Sequence, residues 1–212
     1  MKLFWGPHAC AIGAHIILEE TGKPYELEKL DVAGGETQKA PFKDVNPKGK
    51  VPTLVRDDGS VLTEFGAIAT WLARTSPEKH LLPSDPNGEA RAIEVMDYVV
   101  GTIHAQGFGR IFKPEKFEPP DVLHKTTGLG ASAVKEQGRE IVNAGFRLLD
   151  QDLARHPFVA GDSFSIADAA LFYVERWAPQ VKIDLPANVA AHLERMKERQ
   201  TVRKVMAIWG EK

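Results

Sequence analysis

Apolar positions follow one rule over the opening third of the chain and a different rule over the remainder. Lys2 to Trp5 is a short apolar run that predicts a strand, and a helix follows from about Ala9 to Thr21. Gly22 and Pro24 stop that helix, the glycine as a C-terminal cap and the proline because it cannot continue the hydrogen-bond ladder. Tyr25 to Leu30 predicts a second strand, and the polar, glycine-bearing stretch from Gly34 to Asp44 a loop with at most a short helix. Thr53 to Arg56 and Val61 to Thr63 flank Asp58-Gly59, a hairpin signature. Ile68, Trp71 and Leu72 then recur at helical spacing. This β-α-β-α-β-β-α succession leaves the order of strands in the sheet open.

Pro77, Pro83 and Pro86, with serine and aspartate between them, mark a linker over 77–86. Beyond it no strand pattern returns. Asp85 as cap and Pro86 at the first helical position open a long helix whose Ile93, Met96, Val100 and Ile103 predict one apolar stripe. A second long helix shows Val134, Gly138, Ile141, Gly145 and Leu148 as its stripe, and the two glycines leave room for a neighbouring helix to approach. Phe164-Ser165-Ile166-Ala167-Asp168 reads as a capping box with aspartate in the glutamate position, Phe164 and Ala169 forming a hydrophobic staple. Asp168 is accordingly expected to serve folding rather than chemistry. The pattern divides the chain into a unit over 1–76 with mixed elements, the linker over 77–86, and an all-helical unit over 87–212.

A chain of 212 residues can bury one large core or two small ones. Its formal net charge of −2 gives no reason to expect nucleic acid, which is bound through clustered lysine and arginine. No apolar run approaches the roughly 18 residues of a membrane span. His8, His15 and the Glu19-Glu20 pair interrupt any signal-peptide core at the start. Cys10 is the single cysteine, so an internal disulfide is impossible, and a free thiol predicts a reducing, cytoplasmic setting. The histidines are scattered without ligand spacing, so no metal site is expected. Gly128-Leu129-Gly130 lacks the third glycine and preceding strand of a dinucleotide fingerprint.

Candidate chemistry concentrates in three places. Asn46-Pro47-Lys48-Gly49-Lys50-Val51-Pro52 ends in a Val-Pro ahead of a strand, where a cis bond can be built in. Such a bond turns the Val51 N–H and C=O outward, ready to pair with an extended peptide. Glu64, at the start of the next helix beside free backbone N–H groups, can hold the ammonium of a small zwitterion. Cys10 sits at the opening turn of the first helix, whose partial positive charge favours a thiolate, its own or that of a bound thiol. Against this stands the plain reading of a small buried hydrophobe. His104, with Asp97 and Gly101 at i, i+4, i+7 spacing, forms a possible cleft wall. Together these parts describe a dock for a short, charged, sulfur-bearing peptide.

Four segments carry a resemblance along the whole chain: Lys2 to Cys10, Asn46 to Pro52, Leu62 to Ile68, and Phe164 to Phe172. In order and spacing they resemble the glutathione transferase family, and Cys10 with His104 is similar to its bacterial beta class. The resemblance implies an N-terminal thioredoxin-like α/β domain followed by a C-terminal helical bundle. It implies conjugation of the glutathione thiol to small apolar electrophiles, glutathione as co-substrate with no other cofactor, and a homodimer. It assigns catalysis to Cys10 and His104, and glutathione binding to Lys50, Val51, Pro52, Glu64, Phe65, Asp97 and Thr102. Asp97 would reach the partner subunit's glutathione, and Trp5, Phe108 and Phe112 would line the electrophile pocket.

Several positions depart from the family pattern. Phe65 stands where serine or glycine is usual, so its N–H survives and a hydroxyl contact is lost. Ala11 replaces a serine, Gly34-Gly35 occupy the place of a lysine that Lys39 would have to replace, and Thr102-Ile103-His104-Ala105 stands for Glu-Leu-His-Lys. These changes predict weaker glutathione binding or compensating contacts. Two alternatives follow: a Cys10-dependent thiol–disulfide reductase or reductive dehalogenase, and a non-catalytic ligand-binding protein of the same fold.

Overall fold

The computed structural model describes residues 1–118 and 129–211; Gly128 lies outside them. Strands β1 (Lys2–Trp5), β2 (Glu26–Lys29), β3 (Thr53–Val55) and β4 (Val61–Thr63) form one mixed sheet in the order β2-β1-β3-β4. β1 runs parallel to β2 and antiparallel to β3, and β3 pairs antiparallel with β4. Strand alternation sends Leu3 and Leu54 to one face and Phe4 to the other. Helices α1 (Ala11–Thr21) and α3 (Phe65–Arg74) cover the first face, while Phe4 packs with Leu30 and Phe42 of the one-turn helix α2 (Phe42–Val45) on the second.

α1 is buried from Ala11 to Leu18 because it lies between the sheet and the helical half. Gly13 permits that approach, since a Cβ there would stand 2.5 Å from the Ala169 carbonyl oxygen. The helical half opens with α4 (Pro86–Tyr98), capped by Asp85, whose carboxylate accepts from the Gly88 N–H at 2.8 Å. The same rod continues as a π-helical stretch over Val99–Phe108 and closes with α5 (Gly109–Phe112). The remaining α-helices among the described residues are α6 (Leu129–Leu153), α7 (Ile166–Glu175), α8 (Ala187–Glu198) and α9 (Gln200–Trp209). None of the described helices is long and apolar enough to cross a membrane.

Both predicted stripes shift. Ala92, Val95, Met96, Val99 and Ile103 face the core, whereas Ile93 and Val100 are only partly buried and line a groove against α3. This rod has two apolar faces, and a single stripe merged them. On α6 the core positions are Val134, Val142, Phe146, Leu149 and Leu153, while Leu148 is exposed. The glycines act as expected: Cβ atoms at Gly138 and Gly145 would lie 2.8 Å from Gly107 O and 2.6 Å from Ile103 Cγ1. At the start of α7 the capping box is present, with the Asp168 carboxylate accepting from the Ser165 N–H at 2.8 Å. The Ser165 hydroxyl accepts from Ala167 N–H at 3.3 Å.

One apolar cluster runs from Leu3 through α1, α4, α6 and α7 to Trp209, so the two sequence units share a core. α9 returns to the first unit, where Trp209 packs on Trp5 at 4.4 Å between ring centroids. Its indole N–H donates to His15 Nδ1 at 2.9 Å.

Candidate active site

The loop before β3 is held by its own polar groups. Buried Asn46 donates through Nδ2 to the Lys50 carbonyl at 2.9 Å and to Thr53 Oγ1 at 2.8 Å, and its Oδ1 accepts from the Lys48 N–H at 3.1 Å. Gly49 turns the chain at φ 63°, and its carbonyl accepts from Gln38 Nε2 at 2.8 Å. The Val51-Pro52 bond is cis, and so is Ala40-Pro41, which the sequence reading did not single out. Among the described residues the Val51 N–H has no partner, whereas its carbonyl accepts from the Cys10 thiol at 3.8 Å. Only the N–H is therefore unengaged; the C=O, expected to face outward too, meets the thiol.

Cys10 immediately precedes α1, with helical φ and ψ of −63° and −14°. It is partly exposed yet densely surrounded by protein atoms, and burial pushes its thiol up to about 12. Its own backbone N–H, Arg176 and Lys50 pull the other way, and Glu64 adds to the rise. Desolvation outweighs the helix-start effect expected from the sequence, so Cys10 is a thiol at neutral pH.

His104 lies on the π-helical stretch, its Nδ1 3.2 Å from the Tyr173 hydroxyl. Its ring stands edge-on to Tyr173 at 5.4 Å and to Trp177 at 4.9 Å. Burial, with a smaller contribution from the Lys50 ammonium, lowers its pKa to about 4, so the imidazole is neutral. The Trp177 indole donates to the His8 carbonyl at 2.8 Å, tying the chain beyond α7 to the turn that carries Cys10. Tyr173 and Trp177 were not anticipated. Their one sequence signal is an aromatic pair at four-residue spacing after the capping box.

Glu64 precedes α3 in an unusual backbone conformation for a non-glycine residue, φ 69° and ψ 129°. Its exposed carboxylate is held by Lys48 Nζ at 2.7 Å, and that ammonium also donates to Thr63 Oγ1 at 2.9 Å. The N–H groups of Phe65, Gly66 and Ala67 have no partners among the described residues, as at any helix start. A carboxylate can meet those N–H groups while an ammonium meets Glu64. The Phe65 side chain takes no part, being buried against Tyr173 at 5.3 Å.

The expected Asp97–Gly101–His104 face is divided. Asp97 is exposed in a groove of about 640 Å³ between α3 and α4, beside Glu64 and Gly66, while His104 faces α7. Thr102 is half-buried and makes no hydrogen bond through its hydroxyl among the described residues, and Lys50 is exposed. Trp5 belongs to the core with Trp209, and Phe108 is fully buried. Phe112 is 42% exposed, stacks on Phe108 at 5.6 Å and meets the Trp177 edge at 5.6 Å. Phe112 is thus the exposed aromatic ring, backed by buried Trp177 beside His104.

A thioredoxin-like sheet bearing a cis-proline loop against a helix-start cysteine, joined to an all-helical half, defines a class of thiol-handling α/β proteins. Family models described as the glutathione S-transferase N-terminal and C-terminal domains match residues 9–75 and 132–197. The chain is 36% identical over 214 residues to glutathione S-transferase GstA of Escherichia coli O157:H7, covering 99% of each. Among solved structures, a glutathione transferase homologue from Sulfitobacter with bound glutathione superposes with a TM-score of 0.87 at 27% identity, covering 98% of this chain and 97% of that one. A beta class glutathione S-transferase from Sphingomonas chungbukensis gives 0.83 at 32% identity, covering 99% of each. The chain belongs to the glutathione S-transferase family.

Proposed function

We propose that this transferase conjugates glutathione to a small, apolar electrophile, with His104 and Cys10 acting as neutral hydrogen-bond donors to the glutathione sulfur, the Cys10 S–H turning to it from the Val51 carbonyl. One observation carries the reading: a protonated thiol held on Val51 and an uncharged imidazole both feel the Lys50 ammonium, and the imidazole packs on buried Trp177, which carries the exposed Phe112 ring. Glutathione lies extended along Val51 and Pro52 past Lys50, with its γ-glutamyl carboxylate on the N–H groups of Phe65 and Gly66 and its ammonium on Glu64. Lys48 gives up that carboxylate and fills the place of the missing loop lysine. Glutathione loses its thiol proton to water. The thiolate then attacks carbon, a C–S bond forms, and the leaving group departs with its electron pair.

A thiol held protonated by burial suits donation better than a mixed disulfide, which separates this reading from the Cys10 reductase. The apolar α3–α4 groove supports a homodimer in which Asp97 approaches the partner subunit's glutathione. Thr102, half-buried on the π-helical stretch, is assigned to the same glutathione site. We place the two units at 1–76 and 87–212, joined by 77–86, and the protein in the cytoplasm, where a lone free thiol persists.

Calorimetric titration with glutathione, followed by a spectrophotometric assay with glutathione and an aryl halide, tests the reading. Saturable binding and thioether formation are expected. No heat on titration together with no conjugation overturns it in favour of the non-catalytic alternative.

A further inference from the structure

We propose that Tyr173 is a positioning residue: its hydroxyl donates to His104 Nδ1, fixing the imidazole as the Nε2–H tautomer and turning a donor toward the sulfur beside Cys10. The placement of that sulfur rests on the function proposed above; the tautomer does not.

Tyr173 is completely buried, so its hydroxyl hydrogen needs an acceptor within the protein. Among the described residues its hydroxyl has one partner, His104 Nδ1 at 3.2 Å. Two arrangements satisfy that distance. If Nδ1–H donated to the phenol oxygen, the phenolic hydrogen would be left buried without an acceptor. Cys10 does not supply one: among the described residues its Sγ makes no hydrogen bond to the phenol, only one to the Val51 carbonyl at 3.8 Å. If the phenol donates to Nδ1, both groups are satisfied. A neutral imidazole has a single N–H, so that hydrogen must then sit on Nε2.

Nε2 makes no hydrogen bond within the described residues, and it is not among their buried unpaired atoms. It is therefore open to a ligand. The ring cannot readily turn away, being wedged edge-on between Tyr173 and Trp177, and Phe65 holds the phenol in turn at 5.3 Å. Tyr173 and Trp177 on the α7 side face His104, Cys10 at the start of α1 stands near Tyr173, and Lys50 of the loop before β3 acts on the ring. None of the first three is charged at neutral pH, and Lys50 opposes protonation of the ring.

The consequence for chemistry is specific. A fixed Nε2–H strengthens its hydrogen bond as negative charge gathers on sulfur, and it costs no reorganisation when the thiolate forms. The same tautomer cannot accept the glutathione proton at Nε2. His104 is then a stabiliser of the thiolate and not its base. α7, which the sequence presents as a capped folding element, reaches into the site through this hydroxyl.

The test is Tyr173→Phe, which keeps the ring and removes the hydroxyl, in protein carrying 15N-labelled histidine. Loss of one imidazole signal set in His104→Gln assigns the resonances. The wild type should show Nδ1 unprotonated and Nε2 protonated, and Tyr173→Phe should move population to the Nδ1–H tautomer. In conjugation assays kcat/KM for glutathione should fall about tenfold, with the acid limb of its pH profile moved up by about one unit and the glutathione Kd little changed. In the His104→Gln background the same Tyr173→Phe change should have almost no further effect. Thermal melting reports whether each variant is folded, and the tautomer readout needs no activity. A protonated Nδ1 in the wild type overturns the proposal, as does a Tyr173→Phe variant with unaltered tautomer and pH profile. A wild type showing the Nε2–H tautomer but no glutathione binding would sink the glutathione reading while leaving the tautomer standing.

Discussion

Cys10 carries opposing influences within a few ångströms. The start of α1, Lys50 and Arg176 all favour a thiolate, yet removal from water outweighs them and raises the thiol to about 12. Iodoacetamide should therefore alkylate Cys10 slowly at pH 7.5, and mass spectrometry should find faster modification only well into the alkaline range or after unfolding. Fast alkylation of the native protein at pH 7.5 would point to a reactive thiolate and revive the reductase reading. Cys10→Ala should lose about ten- to hundredfold in conjugation, the worth of one hydrogen bond to a charged acceptor, and retain the rest. At this scale the sequence was informative about position wherever local spacing sets it: Cys10 stands just before α1, Val51 before a cis proline and Glu64 just before α3. Tyr173, Trp177 and Lys48 were not readable, because their roles arise from tertiary approach: α7 arriving at His104, and the loop lysine folding onto Glu64. Phe65 reads in sequence as a position that keeps its N–H and loses a hydroxyl contact; what the sequence did not show is that its side chain is a core residue packed on Tyr173.

α7 owes its position to its first turn. The Asp168 carboxylate accepts from the N–H groups of Ser165 and Val159, each at 2.8 Å, and from the Ser165 hydroxyl at 3.0 Å. Its Oδ1 also lies 3.1 Å from His192 Nε2, whose Nδ1 lies 2.8 Å from Glu175. All three ionisable side chains are fully buried. Asp168→Ala strands several buried donors, at a cost of about 3–5 kcal/mol. In a chain of this size that should lower the melting temperature by about 10 °C in a calorimetric scan. A drop of only a degree or two would show that the box is not what holds α7. The capping box was readable because it is written in five consecutive residues, whereas its extension to His192 spans two helices and was not. The π-helical stretch was equally hidden, since its wider turn leaves no mark in a 3.6-residue pattern.

The whole molecule closes on itself through α9, and its response to pH follows from how histidines are buried across that closure. The sequence separated a mixed unit from a helical one but could not show their shared core, because contacts such as Trp5 with Trp209 join opposite ends of the chain. His15, inside α1, accepts the Trp209 indole N–H at Nδ1, and its Nε2 lies 2.9 Å from the Tyr25 hydroxyl. Burial lowers its pKa from 6.5 to about 4. Between those values the unfolded chain holds a proton that the folded one lacks, so stability is full above pH 6.5 and is lost as pH falls toward 4. His104 is lowered to about 4 as well and acts in the same direction. His192 behaves oppositely: burial alone would lower it, but the Glu175 and Asp168 carboxylates outweigh burial and raise it to about 10. Its contribution is complete below pH 6.5 and declines as pH rises toward 10. Urea midpoints should therefore fall on both sides of a maximum near pH 6.5. His15→Gln should lessen the acid-side slope while leaving the share of His104, and should not touch the slope between about pH 6.5 and 8.5. Because protonated Nδ1 would face the Trp209 N–H donor to donor, acid should release α9 before the rest of the fold. Hydrogen exchange at pH 5 should accordingly rise first in Gln200–Trp209, and uniform exchange across all helices would show that His15 does not govern this closure.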